Sequence, residues 1–516
     1  LSTKPQGKQV TDTVRVFASP GEYEPATFSI RSGVELKGVR VELAGDLTDN
    51  QGSTIRRTAV EIRLVDPFEE WTKKKTECYL LKRDTVDIAA NTTRRFWVTV
   101  HVPDDAKPGV YGSKILIGKP ITKLGPDLGR LMTLKTLTYE VEVLPIQLLT
   151  AHETGMAFFM FYDTYYYGDL PDGASRFVTD AYQKRVFDDM REHGMTTANL
   201  HLYPFVDGKF TLTGRTEKHL GLAQTMETLK KTKLVAPGLP VTWVGAECYG
   251  PDVWKGVLDE GRKRKWPEIV FYAVDEPHDE KKKKQVREIM KRFNTFRAKH
   301  PQYGLRVTTA LGSSRGIQTV GYHYDLWIGC QAQRIGESGV IADAKMHKKE
   351  LWTYDCMLAP VDAETDRYYF GVWAWVSGVK GCAHWAYFAQ PHLSYVYPTE
   401  DELIPTIGWE AVREGIDDYR YLSTLKRLAD KARATGKKQL ARRADKIFAG
   451  VKKMVTMDNY GAAYHKAMAS SVKLATAYQR PRVEPNLSID SYDRMRLKVA
   501  KAIADIAAVL SASKSR

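Results

Sequence analysis

Apolar positions recur with two different rhythms along the chain. From about residue 10 to 145 they alternate with polar ones, or run in short β-branched stretches: VRVFA, ATFSIRSG, VRVELAG, AVEIRLVDP, FWVTVHVP, SKILIGK and LTYEVEVLP. Gly, Pro, Asp and Asn separate these stretches, and no long helical period intervenes. Short alternating segments between turn residues predict strands, and a succession of them predicts an antiparallel β-sandwich.

After VLPIQLLTAH the rhythm changes. Near-continuous apolar runs now alternate with amphipathic helical ones. The runs are GMAFFMFYD, TTANLHLYP, PVTWVGAE, EIVFYAVDE, LRVTTAL, DLWIGC, LWTYDCM and GCAHWAYF. Helical stretches include FVTDAYQKRVFDDMREHG, EKHLGLAQTMETLKK and EKKKKQVREIMKRFNTFRAKH. A strand buried on both faces has no reason to alternate, so continuous apolar runs between helices predict a parallel sheet. The number of units and their total length fit a (β/α)8 TIM barrel. A doubly wound sheet is the competitor, but no glycine-rich phosphate loop follows any of the runs. The chain then ends in helical periods at IPTIGWEAVREGIDDYRYLSTLKRLADKA, KQLARRADKIFAGVKKMV and SYDRMRLKVAKAIADIAAVLSAS, with YQRPRVEPNLS as a connector. The predicted organisation is multidomain, β plus α/β. It comprises a sandwich over 1–148, a catalytic barrel over 149–425 and a C-terminal helical segment over 426–516.

Composition narrows the class. The chain has 516 residues, 43% of them hydrophobic, which is globular and large enough for several cores. No apolar run reaches the roughly 18 residues of a membrane span. The chain opens at Leu1 rather than Met, so a secreted, periplasmic or cell-envelope location with a removed signal is the expectation. Five cysteines, none in a C-x-x-C pair, exclude the usual zinc-ribbon and thioredoxin spacings. The histidines form no H-E-x-x-H, so neither a metal nor another cofactor is expected. The net charge of +15 is unevenly placed: from Tyr421 onward there are 21 Lys and Arg against 7 Asp and Glu. The rest of the chain is near neutral. The basic terminal segment invites a polyanion, or is simply the solvated face of packed helices. With no recognised motif for it, nucleic acid is not expected.

The chemistry concentrates at FYAVDEPHDE, where an apolar strand runs into Asp275 and Glu276 and Pro277 stops it. Barrel enzymes work at the C-terminal ends of their strands, and this would be strand four. Adjacent residues of an extended strand face opposite ways, so both acids can serve one ligand only where the strand ends or bulges. The structural alternative is helix capping, for which Asp279 suffices alone. The other strand ends offer Tyr162, Asp163, His201, Tyr203, Trp243, Glu247, Trp327, Tyr354, Asp355, Trp385 and Tyr387. Rings that stack on sugar C–H faces, beside acids that hold hydroxyls, suit an oligosaccharide; any one ring can equally be core filler. Arg367, at the start of a helix after strand seven, is a further candidate for hydroxyls or an acidic group. Trp385 is the preferred stacking platform, whereas Trp373 and Trp375 are expected to pack. GSSRG, from Gly312 to Gly316, matches the G-x-S-x-G of serine hydrolases, but IQTVGYHYDLW is not expected to supply the helix that a nucleophile elbow needs.

FASPGEYEPATFSI, YAVDEP, RYYFGVWAWVSGVKGCAHWAYF and GWEAVREGIDDYRYL, in this order, resemble glycoside hydrolase family 123 and its broader relatives. The likeness covers most of residues 10–425. It implies a retaining β-N-acetylgalactosaminidase-like enzyme using substrate-assisted catalysis on 2-acetamido-β-hexosides. Glu276 would then be the general acid/base, starting protonated, and Asp275 would orient the acetamido group. Two alternatives stay open. One is a glycosidase for another, possibly acidic, polysaccharide, with Glu247 or Asp355 as nucleophile. The other is a non-catalytic glycan-binding protein of the envelope.

Overall fold

The computed structural model describes residues 10–66, 78–122, 128–163, 176–201, 205–206, 209–214, 220–311, 314–330, 339–355, 363–389, 394–455, 487 and 489–512. The chain divides into two compact units, one of Leu1–Leu148, Ile404–Glu410 and Val499–Arg516, the other of Leu149–Leu403 and Ala411–Lys498. The terminal helices thus do not stand apart as a third body. They divide between the two units, and the helix Ile407–Ala434 runs across the boundary expected at residue 425.

In the first unit two sheets face each other across one core. The larger sheet has the order Thr13–Ala18, Leu131–Val143, Gly109–Pro120, Leu36–Leu43, Val86–Ile88, with two short strands alongside. The smaller has Tyr23–Arg31, Thr93–His101, Val60–Asp66 and Tyr79–Leu81. Alternation decides which residues meet. Val14, Val16 and Ala18 of one sheet share a buried cluster with Val98 and Val100 of the other. The sandwich is antiparallel except at one edge, where Thr13–Ala18 runs parallel to Leu131–Val143.

The second unit contains the barrel. Eight parallel strands close on themselves: β1 Ala157–Asp163, β2 Asn199–His201, β3 Val241–Val244, β4 Ile269–Tyr272, β5 Val307–Ala310, β6 Leu326–Cys330, β7 Glu350–Asp355 and β8 Gly381–His384. Seven lie within the apolar runs read from the sequence, and β7 begins one residue before its run. β8 pairs back onto β1 through Ala157 and Gly381. Amphipathic helices link the strands. Asp180–Glu192, for example, starts on the Thr179 side chain, which accepts from the Tyr182 N–H, and buries Tyr182, Val186, Phe187 and Met190. After β5 the chain forms a helix, Ser314–Val320, that the sequence did not lead us to expect. Its Ile317 and Val320 are buried, and Gly321 beyond them lies so close to Trp327 that an added Cβ would sit 3.3 Å from the indole. Gly312 and Ser313 lie outside the described residues.

The helical layer after β7 is pinned by charge. Here Arg367 is buried, and its Nε donates to Asp418 at 2.8 Å. Arg496, fully buried in the last helix, donates from Nε to the other Asp418 oxygen at 2.9 Å and lies 3.0 Å from Glu414. Beside this cluster two helices touch backbone to backbone. A Cβ on Gly371 would meet the Gly415 carbonyl at 2.9 Å, and one on Gly415 would meet the Arg367 carbonyl at 2.6 Å. Trp373 is buried against Tyr369, and Trp375 lies 5.0 Å from Phe448, so both tryptophans pack as expected. Removing the shared acid leaves two buried guanidiniums competing for Glu414. Asp418→Ala should therefore lower unfolding free energy by about 3–5 kcal/mol, read by denaturant titration; an unchanged midpoint would contradict this role.

Candidate active site

Alternation inside the barrel sorts the residues read from the sequence. Ala157, Phe159 and Phe161 of β1 share one interior cluster with Val244, Val270, Tyr272, Ala310, Leu326, Ile328, Trp352, Tyr354 and Ala383. Every second residue of a strand therefore faces in. Asp163 follows Phe161 on this inward face, and its Oδ2 lies 3.3 Å from His201 Nδ1. His201 meets Phe161 and Trp385, with ring centroids 6.1 and 5.4 Å away. Phe161 in turn touches Tyr354 and Trp385, each at 5.4 Å. Asp163, His201, Tyr354 and Trp385 are thus brought together.

Tyr162, Trp243, Trp327 and Asp355 fall on the opposite parity, toward the helices, and Tyr387 lies beyond the end of β8. Tyr162 packs edge-on to Phe187 of the first barrel helix. Trp243 is fully buried between Tyr249 and Phe271. Trp327 is buried and donates from Nε1 to the Gly321 carbonyl at 2.7 Å. Tyr387 donates to Asp189 at 2.8 Å. Asp355, next to Tyr354 and hence of opposite parity, is fully buried; its charge is felt by Tyr369 and Cys382 on the outer side. Arg367 is committed to the ion cluster. All six are engaged within the fold. For the four strand residues the reason is one of parity: a run that is apolar throughout does not reveal which of its residues face in. Tyr203 lies outside the described residues.

The strand-four acids escape this parity. β4 ends at Tyr272, and two residues without the freedom of glycine then take left-handed backbone, Val274 at φ 61° and Glu276 at φ 43°. Such residues cost about 1–3 kcal/mol each and persist only where their surroundings hold them. The surroundings do so. Tyr324 donates to the Ala273 carbonyl at 3.0 Å, and Thr309 to that of Val274 at 2.8 Å. The Val274 N–H donates to Glu247 Oε1 at 3.0 Å, and the Glu276 N–H to the Ala310 carbonyl at 3.0 Å. Lys282 Nζ reaches the Asp275 carbonyl at 2.6 Å. As a result the neighbouring acids both meet inward-facing tyrosines: Tyr272 donates to Asp275, and Tyr354 to Glu276. Asp275 is exposed and Glu276 half-buried, so both are open to a ligand. Capping falls to Asp279, whose Oδ1 accepts from the Lys282 N–H at 2.7 Å. That contact holds the Asp279 carboxyl below its usual range.

Glu247 stands beside the pair. Burial, with the Asp275 charge adding to it, pushes its carboxyl above the usual range despite the bond from Val274. Tyr272, Tyr324 and Thr309 are the site residues that the sequence did not reveal. Tyr272 and Thr309 sit in buried strands and Tyr324 just after a short helical turn, where a tyrosine or threonine reads as ordinary core.

Comparison with known proteins follows the same lines. Residues 2–119 match the model of the glycoside hydrolase 123 N-terminal domain. The fold resembles that of a family 123 glycoside hydrolase from Clostridium perfringens, studied for glycolipid glycan hydrolysis. The TM-score is 0.62 at 12% identity, over 98% of this chain and 95% of that one. A β-D-glucuronidase from Dictyoglomus thermophilum aligns at a TM-score of 0.31 and 9% identity, over 76% of this chain and 68% of that one. No curated protein matches. The resemblance to family 123 read from the sequence is borne out by the domain match and by the shared fold.

The turn at the end of β4 yields a direct test. Tyr324→Phe leaves the buried Ala273 carbonyl unpaired, which should cost about 1–2 kcal/mol. Amide hydrogen exchange at Val274 and Glu276 should quicken while the rest of the barrel keeps its protection. Uniform protection would show that the turn holds without the phenol.

Proposed function

We propose that this chain is a retaining glycoside hydrolase for 2-acetamido-β-hexosides, with Glu276 as general acid/base and Asp275 as the carboxylate that orients the acetamido group. The observation that carries this reading is the left-handed turn, which delivers two consecutive acids to one side, each bonded to a tyrosine of the barrel interior. In the first step the acetamido oxygen attacks the anomeric carbon as the bond to the leaving oxygen breaks. Glu276 gives its proton to that oxygen. Asp275 accepts from the acetamido N–H and balances the positive charge of the oxazolinium. Glu276, now a carboxylate, takes a proton from the water that reopens the ring at the same carbon. Two inversions leave the configuration retained, and the protein supplies no nucleophile, an exception to the usual pair of carboxylates.

Asp355 is buried on the helix side of β7, so it does not offer a nucleophile to the lumen. One oxygen of Glu247 is already committed to the Val274 N–H. Both facts favour substrate assistance over the two-carboxylate alternative. Trp385, partly exposed beside His201, offers the stacking face, and the Asp163–His201 pair offers polar contacts for hydroxyls. The glycan of a glycolipid, as in the Clostridium perfringens study, is one natural source of such a sugar.

A panel of nitrophenyl glycosides that includes β-GalNAc and β-GlcNAc tests the substrate class. Cleavage only of sugars without an acetamido group would sink the reading. Glu276→Gln should lose about 10²–10⁴-fold on substrates with poor leaving groups and much less on activated aryl glycosides, which need no proton. Asp275→Asn should be crippled on both while remaining folded. Equal losses for Glu276→Gln on the two substrate classes would make Glu276 structural.

A further inference from the structure

Glu247 is a partly buried acid beside the pair that the proposed reaction does not use. It sits in the short turn Ala246–Cys248 after β3, at the same end of the barrel as Asp275 and Glu276. Its two oxygens have different fates. Oε1 accepts from the Val274 N–H at 3.0 Å, across the gap between β3 and β4. Oε2 is sealed from solvent and has no hydrogen-bond partner. An ionised carboxylate with one oxygen buried and unpaired is costly, and a second negative charge beside Asp275 raises the cost further. A proton on Oε2 removes both penalties and leaves the Oε1 bond intact.

The charged and titratable groups around it fit that state. Asp275 faces Glu247 from the turn after β4. From the segment before β6, Tyr324 feels the charges of both Glu247 and Asp275. Cys248 is its exposed neighbour in the chain, and the thiol is pushed up by burial and by Glu247. The nearby cation is Arg292 of the helix Glu280–Lys299. Its guanidinium is spent on the backbone, donating to the Glu247 carbonyl at 3.4 Å and to the Tyr249 carbonyl. Among the described residues, then, no hydrogen-bonded cation stabilises the Glu247 carboxylate.

We propose that Glu247 is a positioning residue that works as a neutral carboxyl: its Oε1 holds the left-handed Val274, and its proton keeps a second charge away from Asp275. This deepens the reading given above and rests on it. Through Val274 the residue fixes the direction in which the next two side chains leave the backbone. Displacing a catalytic group by about 1 Å is enough to cost about 100-fold in rate. Because the working form is protonated, the relief of charge beside Asp275 is present at low pH and is lost as pH rises through the elevated Glu247 value, while the Oε1 bond to Val274 persists. A neutral glutamine reproduces the working form, since its Oε1 can still accept from Val274.

The test compares Glu247→Gln with Glu247→Ala across pH, on a β-2-acetamido aryl glycoside. Glu247→Gln should keep near-wild-type turnover at neutral pH, with a shallower alkaline limb because one ionisation has gone. Glu247→Ala should lose about 100-fold in kcat with KM little changed. Amide exchange at Val274 and Glu276 should quicken in Glu247→Ala and stay slow in Glu247→Gln. A glutamine variant as damaged as the alanine one would show that the charge is needed and overturn the proposal. So would an unaltered alkaline limb in the glutamine variant, or slow exchange in the alanine variant. The exchange measurement needs no substrate. If wild type cleaves no acetamido sugar, the functional reading falls while the role of Glu247 in the turn is still decided.

Discussion

The site depends on a broken alternation. In a parallel barrel strand, successive side chains point alternately at the lumen and at the helices, and two consecutive acids would be split between them. Val274 and Glu276, both with positive φ, end that alternation one residue after Ala273. Neither residue has glycine's freedom, so the turn must be imposed from outside. Tyr324, Thr309 and Glu247 impose it from the three strands or turns that surround β4. The strain stored there is balanced by these hydrogen bonds.

This explains what was legible in the sequence. The eight barrel strands could be read because burial on both faces makes them continuously apolar, and each observed strand coincides with one of those runs to within a residue. The same property hides the side-chain direction. Tyr162, Trp243, Trp327 and Asp355 stand in the same apolar runs as, or in runs like those of, Asp163, His201 and Tyr354, yet they face the other way. The left-handed turn had no glycine to announce it; only Pro277 and the paired acids hinted at a strand ending there. Arg367 was unreadable for a different reason. Its partner Asp418 lies 51 residues further along the chain and its neighbour Arg496 further still, so the buried cluster exists only in three dimensions.

The helical tail is also more integrated than its charge suggests. Arg496, one of its cations, is buried and paired. Arg433 is paired with Asp430 and Asp445 on the surface.

The central claim is that the sugar's own acetamido oxygen is the nucleophile, with the two acids of the β4 turn arranged around it. Fluorination of the N-acetyl group tests this most directly, because each fluorine withdraws electrons from that oxygen and leaves the sugar's outline nearly unchanged. Hydrolysis of the N-acetyl, N-fluoroacetyl, N-difluoroacetyl and N-trifluoroacetyl β-glycosides should slow steeply and in that order. Rates that stay level across the series would place the nucleophile on the protein and contradict the account.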